Sequence, residues 1–235
     1  MKEFAAGGWT RKTLAATIDH TLLRPEASEA AVRRLCEEAR TYGFASVCVA
    51  PCHVSLAVSC LGGPEGGVVG TVVGFPLGYQ DPVIKAAEAR RARDLGAREI
   101  DMVLNVGWLK EGARDAVASD IRGVVEAARG GVVKVILETC LLTDEEKVAA
   151  CALAERGGAR FVKTSTGFGA GGATVEDVRL LRRAGGNRLE VKASGGIRTL
   201  EGALALLAAG ADRLGCSAGV ALVEALEDSA PGAPS

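Results

Sequence analysis

Two lysines and an aspartate stand in segments that otherwise read as buried strands. Asp101 lies inside Glu99-Ile100-Asp101-Met102-Val103-Leu104, Lys163 follows Phe161-Val162, and Lys192 follows Glu190-Val191. An ionised side chain in such a place is expensive unless it is paired or neutralised. A protonated amine cannot attack a carbonyl, but partial burial and a like charge nearby lower its pKa and free the nucleophile. Two lysines brought together therefore suit imine formation with an aldehyde or ketone. The protonated imine withdraws electrons from a neighbouring C–C or C–H bond, while a second amine and a carboxylate carry the proton. The alternative is that these are rim residues facing water or held in structural ion pairs.

Glycine-rich segments follow the same stretches. Thr164-Ser165-Thr166-Gly167-Phe168-Gly169 comes after Lys163, Ser194-Gly195-Gly196-Ile197-Arg198 after Lys192, and Gly215-Cys216-Ser217-Ala218-Gly219 after the last apolar run. Backbone N–H groups in such loops make a recurrent phosphate site, to which the hydroxyls of Ser194 and Ser217 add hydrogen bonds.

These residues need a scaffold that repeats. Short β-branched runs at residues 15–19, 46–49, 68–73, 99–104, 132–137, 160–162, 189–191 and 213–215 alternate with segments of helical periodicity. The clearest of these are residues 28–42, 83–95, 143–156, 200–209 and a closing 218–227. Leu95-Gly96-Ala97, Gly157-Gly158-Ala159 and Ala209-Gly210-Ala211 repeat one joint, a glycine that ends a helix and leads into a strand. Each interval spans about two βα units. Eight such units in 235 residues predict a single (β/α)8 TIM barrel with a short N-terminal extension. The barrel is expected over residues 1–227, with a flexible tail at 228–235 that is rich in Pro, Gly and Ala. A doubly wound open sheet fits less well, because the glycine clusters come late and no first-turn GxGxxG is present.

Composition excludes several classes. Twenty-eight basic against 29 acidic residues give a net charge of −1, without a basic stripe, which argues against nucleic acid or an anionic membrane as partner. No apolar stretch approaches a membrane span, and Lys2, Glu3, Arg11 and Lys12 interrupt any leader-like core, so a cytoplasmic protein is expected. Seven cysteines, an odd number, point to reduced thiols. With two histidines and no CxxC, a metal site is not expected.

The segments that carry this chemistry resemble the deoxyribose-phosphate aldolases. The match runs in order through Ile18-Asp19-His20-Thr21-Leu22-Leu23, Val47-Cys48-Val49-Ala50-Pro51, Glu99 to Val103, Phe161 to Gly167 and Val191 to Arg198. It implies a class I aldolase on a (β/α)8 barrel. Such an enzyme reversibly cleaves 2-deoxy-D-ribose 5-phosphate to acetaldehyde and D-glyceraldehyde 3-phosphate without metal or cofactor. By position, Lys163 would form the Schiff base, Lys192 would depress its pKa and share in proton transfer, and Asp101 would exchange the proton. Cys48 would face the site as a packing or substrate-proximal residue. Thr166, Gly167, Ser194, Gly195, Gly196, Gly215 and Ser217 would hold the substrate and its phosphate.

One departure stands out. Part of the family has a lysine after the glycine of the Lys163 segment, where this chain has Phe168, as in the shorter bacterial branch. Phosphate binding would then rest on backbone amides and Arg198. Asp19, Lys134 and Glu138 either line the site or form a structural charge network beneath it. His20 reads as a hydrogen-bonded strand-end residue, and Trp9 and Trp108 as packing or interface residues. The expected partners are small phosphorylated sugars and aldehydes, with the chain as a homodimer or homotetramer. Another Schiff-base barrel and a non-catalytic phosphosugar-binding barrel are the competing functions.

Overall fold

The computed structural model describes residues 8–63 and 65–226. The expected tail at 228–235 and the first seven residues of the N-terminal extension lie outside the described residues. Eight parallel strands close into a barrel in sequence order. They are β1 (Ile18–Leu22), β2 (Ser46–Val49), β3 (Val69–Val73), β4 (Glu99–Val103), β5 (Val132–Ile136), β6 (Phe161–Lys163), β7 (Glu190–Ser194) and β8 (Arg213–Cys216). β8 pairs with β1 through Asp19 and Gly215, which completes the ring.

Around it run α1 (Arg11–Ala15), α2 (Glu29–Tyr42), α3 (Val54–Cys60), α4 (Pro82–Asp94), α5 (Val106–Lys110), α6 (Arg114–Ala127), α7 (Asp144–Gly157), α8 (Val175–Gly185), α9 (Leu200–Ala208) and α10 (Gly219–Glu224). Side-chain caps start many of them: Ser28 accepts from the amide of Ala31, and Thr143 forms a reciprocal capping box with Glu146. The repeated joint is as expected, since Gly96, Gly158 and Gly210 all have positive φ (101°, 86° and 111°).

The first strand departs from expectation. Residues 15–19 read as a strand, but Ala15 ends α1, and β1 begins at Ile18. Thr10 and Thr13 cap that short helix reciprocally, and Leu14 and Ala15 are buried as its inner face, so an apolar pair mimics the start of a strand. The closing helix is also shorter than expected, spanning Gly219–Glu224.

Strand parity divides the interior into two regions. Outward residues such as Ile18, Val47, Ile100, Val133, Val162, Val191 and Leu214 are at most 2% exposed and join one hydrophobic core between strands and helices. Inward positions along several strands carry charge instead. The apolar core is thus a ring, and the barrel axis is an ionic column.

Candidate active site

Asp101 sits at the centre of that column, fully buried on β4. Its register partner on β5 is Lys134, whereas Lys163 on β6 and Lys192 on β7 are register partners of each other. The same-face alternation of β4 aims Glu99 and Asp101 inward together. Lys163 Nζ donates to Asp101 Oδ2 at 2.9 Å and Lys192 Nζ to the same oxygen at 2.8 Å. Lys134 Nζ donates to Oδ1 at 3.0 Å.

Below them, Lys134 also reaches Glu99 Oε2 at 2.5 Å and Asp19 Oδ2 at 3.3 Å. Lys192 lies 2.6 Å from Asp19 Oδ2. Arg213 Nε donates to Asp19 Oδ1 at 2.9 Å, and its Nη2 to Glu99 Oε1 at 2.7 Å. Ser46 Oγ donates to Asp19 Oδ1 at 2.7 Å. Four cationic side chains and three carboxylates therefore share one network. Of the two alternatives open for Asp19 and Lys134, this is the charge network beneath the site.

The environment drives these groups apart. Burial alone would raise the Asp101 carboxyl, but Lys134, Lys163 and Lys192 hold it well below the usual carboxylate range. Asp19 is likewise lowered, its burial outweighed by Lys134, Lys192 and Arg213. Burial would lower Lys192, yet Asp101 and Asp19 raise it above an ordinary lysine. Lys134 is raised further, against its burial, by Asp101, Asp19 and Glu99. Lys163 alone of the three lysines is lowered: burial is the main cause, Asp101 opposes it, and Lys192 adds to it. Of the two effects the sequence suggested, desolvation is thus the larger and the like charge of Lys192 the smaller.

Access separates the two amines as well. A cavity of about 710 Å³ opens at the C-terminal ends of the strands. Lys163 lines it, whereas Lys192 and Asp101 lie behind. Thr166 and Gly167 line it from the β6 loop, Ser194 from the end of β7 and Gly195 and Gly196 from the turn after it, Gly215 from β8 and Ser217 from just beyond that strand. Phe168 and Arg198 stand at the same wall. Cys48 is 2% exposed and does not line the cavity, and burial with the Asp101 charge pushes its thiol up to about 11.

Gly215 makes room for the column. A Cβ there would lie 2.8 Å from Lys192 Cε and 3.1 Å from Ser194 Cβ. Ser194 in turn donates to the carbonyl of Ser165 at 2.5 Å, and Thr164 Oγ1 donates to the carbonyl of Ser194 at 3.0 Å, so the β6 and β7 ends are tied together.

Glu99 and Arg213 were not singled out from sequence. Their signal was strand parity, which puts Glu99 on the face of Asp101, while Arg213 opens β8 at the register position of Lys192. His20 is hydrogen-bonded as expected, but because β1 runs from Ile18 to Leu22 it sits in the middle of the strand and not at its end. It is buried beside Glu38, with Nε2 2.7 Å from Oε2, and burial lowers its pKa despite that carboxylate. Trp9 and Trp108 pack partly buried against the core. Among the described residues no group of three or more His, Cys, Asp and Glu is arranged to hold a metal ion. No described helix is long and apolar enough to cross a membrane.

A closed parallel barrel with a desolvated amine at the wall of its C-terminal cavity has the build of an imine-forming carbonyl enzyme. The family model of the DeoC/LacD family aldolases matches residues 13–225, and the chain belongs to that family. It is 57% identical over 212 residues to the deoxyribose-phosphate aldolase of Streptococcus sanguinis strain SK36, covering 90% of this chain and 96% of that one. It is 55% identical over 212 residues to the deoxyribose-phosphate aldolase of Geobacillus sp. strain WCH70, covering 90% and 95%. Among solved structures, a putative deoxyribose-phosphate aldolase from Coccidioides immitis superposes with a TM-score of 0.87 at 46% identity, covering 90% of this chain and 84% of that one. A tetrameric deoxyribose phosphate aldolase from Aeropyrum pernix gives 0.84 at 36% identity, covering 92% and 91%.

Proposed function

We propose that this chain is a class I deoxyribose-phosphate aldolase in deoxyribose phosphate catabolism. It cleaves 2-deoxy-D-ribose 5-phosphate to acetaldehyde and D-glyceraldehyde 3-phosphate and runs the reverse addition. The observation that carries this is the contrast between two amines on one carboxylate oxygen. Lys163 faces the cavity with a lowered pKa, and Lys192 lies behind it with a raised one.

Lys163 Nζ adds to C1 of the open-chain sugar, and water leaves to give a protonated imine. The C3 hydroxyl then loses its proton, the C2–C3 bond breaks, and its electron pair flows to the imine as an enamine. D-Glyceraldehyde 3-phosphate departs. A proton delivered to C2 and hydrolysis of the imine release acetaldehyde and the free amine. Asp101 and Lys192 exchange protons on this path through a water that reaches the cavity, with Lys192 as the acid and Asp101 as the group that holds both amines. Thr166, Gly167, Gly195, Gly196, Gly215 and Ser217 surround the phosphate end, with Arg198 at its edge. Ser194 lines the cavity near the reacting carbon, and Cys48 packs behind that wall.

The chain works as a homodimer or homotetramer. The free thiols, among them buried Cys36, Cys48, Cys151 and Cys216, fit the reducing cytoplasm.

The test is borohydride trapping. Protein incubated with deoxyribose 5-phosphate and reduced should gain a single adduct that peptide mapping places on Lys163, absent in Lys163→Ala. An adduct on Lys192 would reverse the two roles, and a folded protein without an adduct would sink the assignment.

A further inference from the structure

Glu138 follows β5 with a left-handed backbone, φ 56°, which is uncommon for a residue with a side chain. It is 5% exposed, and its carboxylate is engaged by a threonine rather than an amine. The backbone N–H of Thr166 points at both carboxylate oxygens, at 3.4 and 3.3 Å, and the Thr166 hydroxyl donates to Oε2 in a short hydrogen bond. Thr166 Oγ1 then accepts from the backbone N–H of Phe168 at 3.0 Å. The hydroxyl proton of Thr166 is thus committed away from the cavity. Gly169 leaves the space the carboxylate occupies, since a Cβ there would lie 3.1 Å from Glu138 Cδ.

The other flank of this loop is fixed against the β7 turn. Ala173 donates to the carbonyl of Gly195 at 3.0 Å, and a Cβ on Gly172 would lie 2.4 Å from that oxygen. The loop that follows Lys163 is therefore held between a buried carboxylate and the Gly195-Gly196 turn. Charge-assisted hydrogen bonds are the stronger kind, and an unusual backbone conformation persists only where its surroundings over-determine it.

We propose that Glu138 is a positioning residue for the phosphate end of the substrate. Through Thr166 it fixes the β6–α8 loop against the Gly195-Gly196 turn and so sets the width of the phosphate cradle. The inference rests on the reading that this end of the cavity takes the phosphate. It concerns a residue that neither lines the cavity nor touches the reacting atoms.

The test uses Glu138→Gln and Thr166→Val, the second removing the bond without altering charge. Calorimetry measures binding of inorganic phosphate, and kinetics compares deoxyribose 5-phosphate with unphosphorylated deoxyribose. Each variant should weaken phosphate binding about tenfold and lower the preference for the phosphorylated sugar, the ratio of the two kcat/KM values, by about the same factor. The double variant should be no worse than the worse single one, since both break one bond. Equal losses on both sugars, unaltered phosphate affinity, or a wild type that does not bind inorganic phosphate would overturn the proposal. A wild type that binds phosphate but does not cleave the sugar would sink the aldolase assignment and leave the binding comparison to decide the role of Glu138. Should Glu138→Gln fail to fold, Glu138→Asp, which keeps the charge but shortens the reach to Thr166, takes its place with the same expected losses and the same overturning results.

Discussion

Lys163 and Lys192 donate to the same carboxylate oxygen, Oδ2 of Asp101, at 2.9 and 2.8 Å, and they are register partners on adjacent strands. One oxygen thus fixes both amines, and the difference between them comes from what else each meets. Lys192 has Asp19 at 2.6 Å as a second carboxylate, whereas Lys163 has the cavity.

Replacing Lys192 with methionine keeps most of the volume and removes the like charge. Lys192 is one of the causes that lower Lys163, so the amine becomes more basic in Lys192→Met. The acidic limb of the kcat/KM profile, which reports formation of the free amine, should move to higher pH, and kcat should fall by about a hundredfold. A profile that keeps its position while kcat falls would confine Lys192 to proton transfer.

Asp101→Asn tests the centre of the network. It leaves three lysines around a neutral amide, and removing one member of a buried ionic cluster is expected to destabilise the fold by about 3–5 kcal/mol. Asp101 raises Lys163, so the amine becomes less basic. Borohydride should still trap an imine on Lys163 while turnover is lost. Urea denaturation and trapping on the same sample check both halves, and a variant as stable as wild type would contradict the network's role.

Gly215→Ala separates folding from chemistry. The new methyl would meet Lys192 Cε at 2.8 Å, the far end of a flexible side chain, so the barrel accommodates it by displacing the amine. Thermal stability should drop by only a few degrees, roughly 1 kcal/mol, while kcat falls about ten- to a hundredfold. Near-wild-type kcat would show that the position of Lys192 is not critical.

How much of this was legible in the sequence follows from the range of each interaction. The run at 46–49 matches β2 because its branched residues sit between a helix-ending glycine and Pro51. Lys163, Lys192 and Asp101 were readable because a charge in an apolar strand is conspicuous. Glu99 was masked by its place at the strand's first residue, where a charge usually faces water. The partner of Glu138 is Thr166, 28 residues away on the next strand's loop, and no local pattern connects them. The network beneath the site was visible as an alternative for Asp19 and Lys134, but choosing it needed the radial packing of several strands.

Acid stability should carry the mark of the column. Asp19 and Asp101 have folded-state pKa values below the unfolded value of 3.8. As pH falls, the unfolded chain takes up their protons first. The stability they contribute is complete above about pH 5 and is lost on descent toward the folded values. Urea midpoints should decline gently between pH 7 and 5, where the unfolded chain protonates His20 ahead of the folded one, and fall more steeply below, with a shallower fall there in Asp19→Asn. A decline as large between pH 7 and 5 would assign the loss to other groups.

The four-to-three ratio of cations to carboxylates along the axis has a consequence for the reaction cycle. The more completely Lys163 sheds its proton at rest, the closer the axis comes to electrical balance, with no excess charge confined away from water. Forming the imine returns a positive charge to that nitrogen. On the proposed path the first imine forms with the sugar's phosphate in the cavity as a counter-ion. After D-glyceraldehyde 3-phosphate departs, the nitrogen is neutral as an enamine until C2 is protonated, and only the short-lived acetaldehyde imine carries the excess charge alone. With Lys163 unprotonated at rest, the empty barrel avoids the self-repulsion that a permanently charged nucleophile would add to the column.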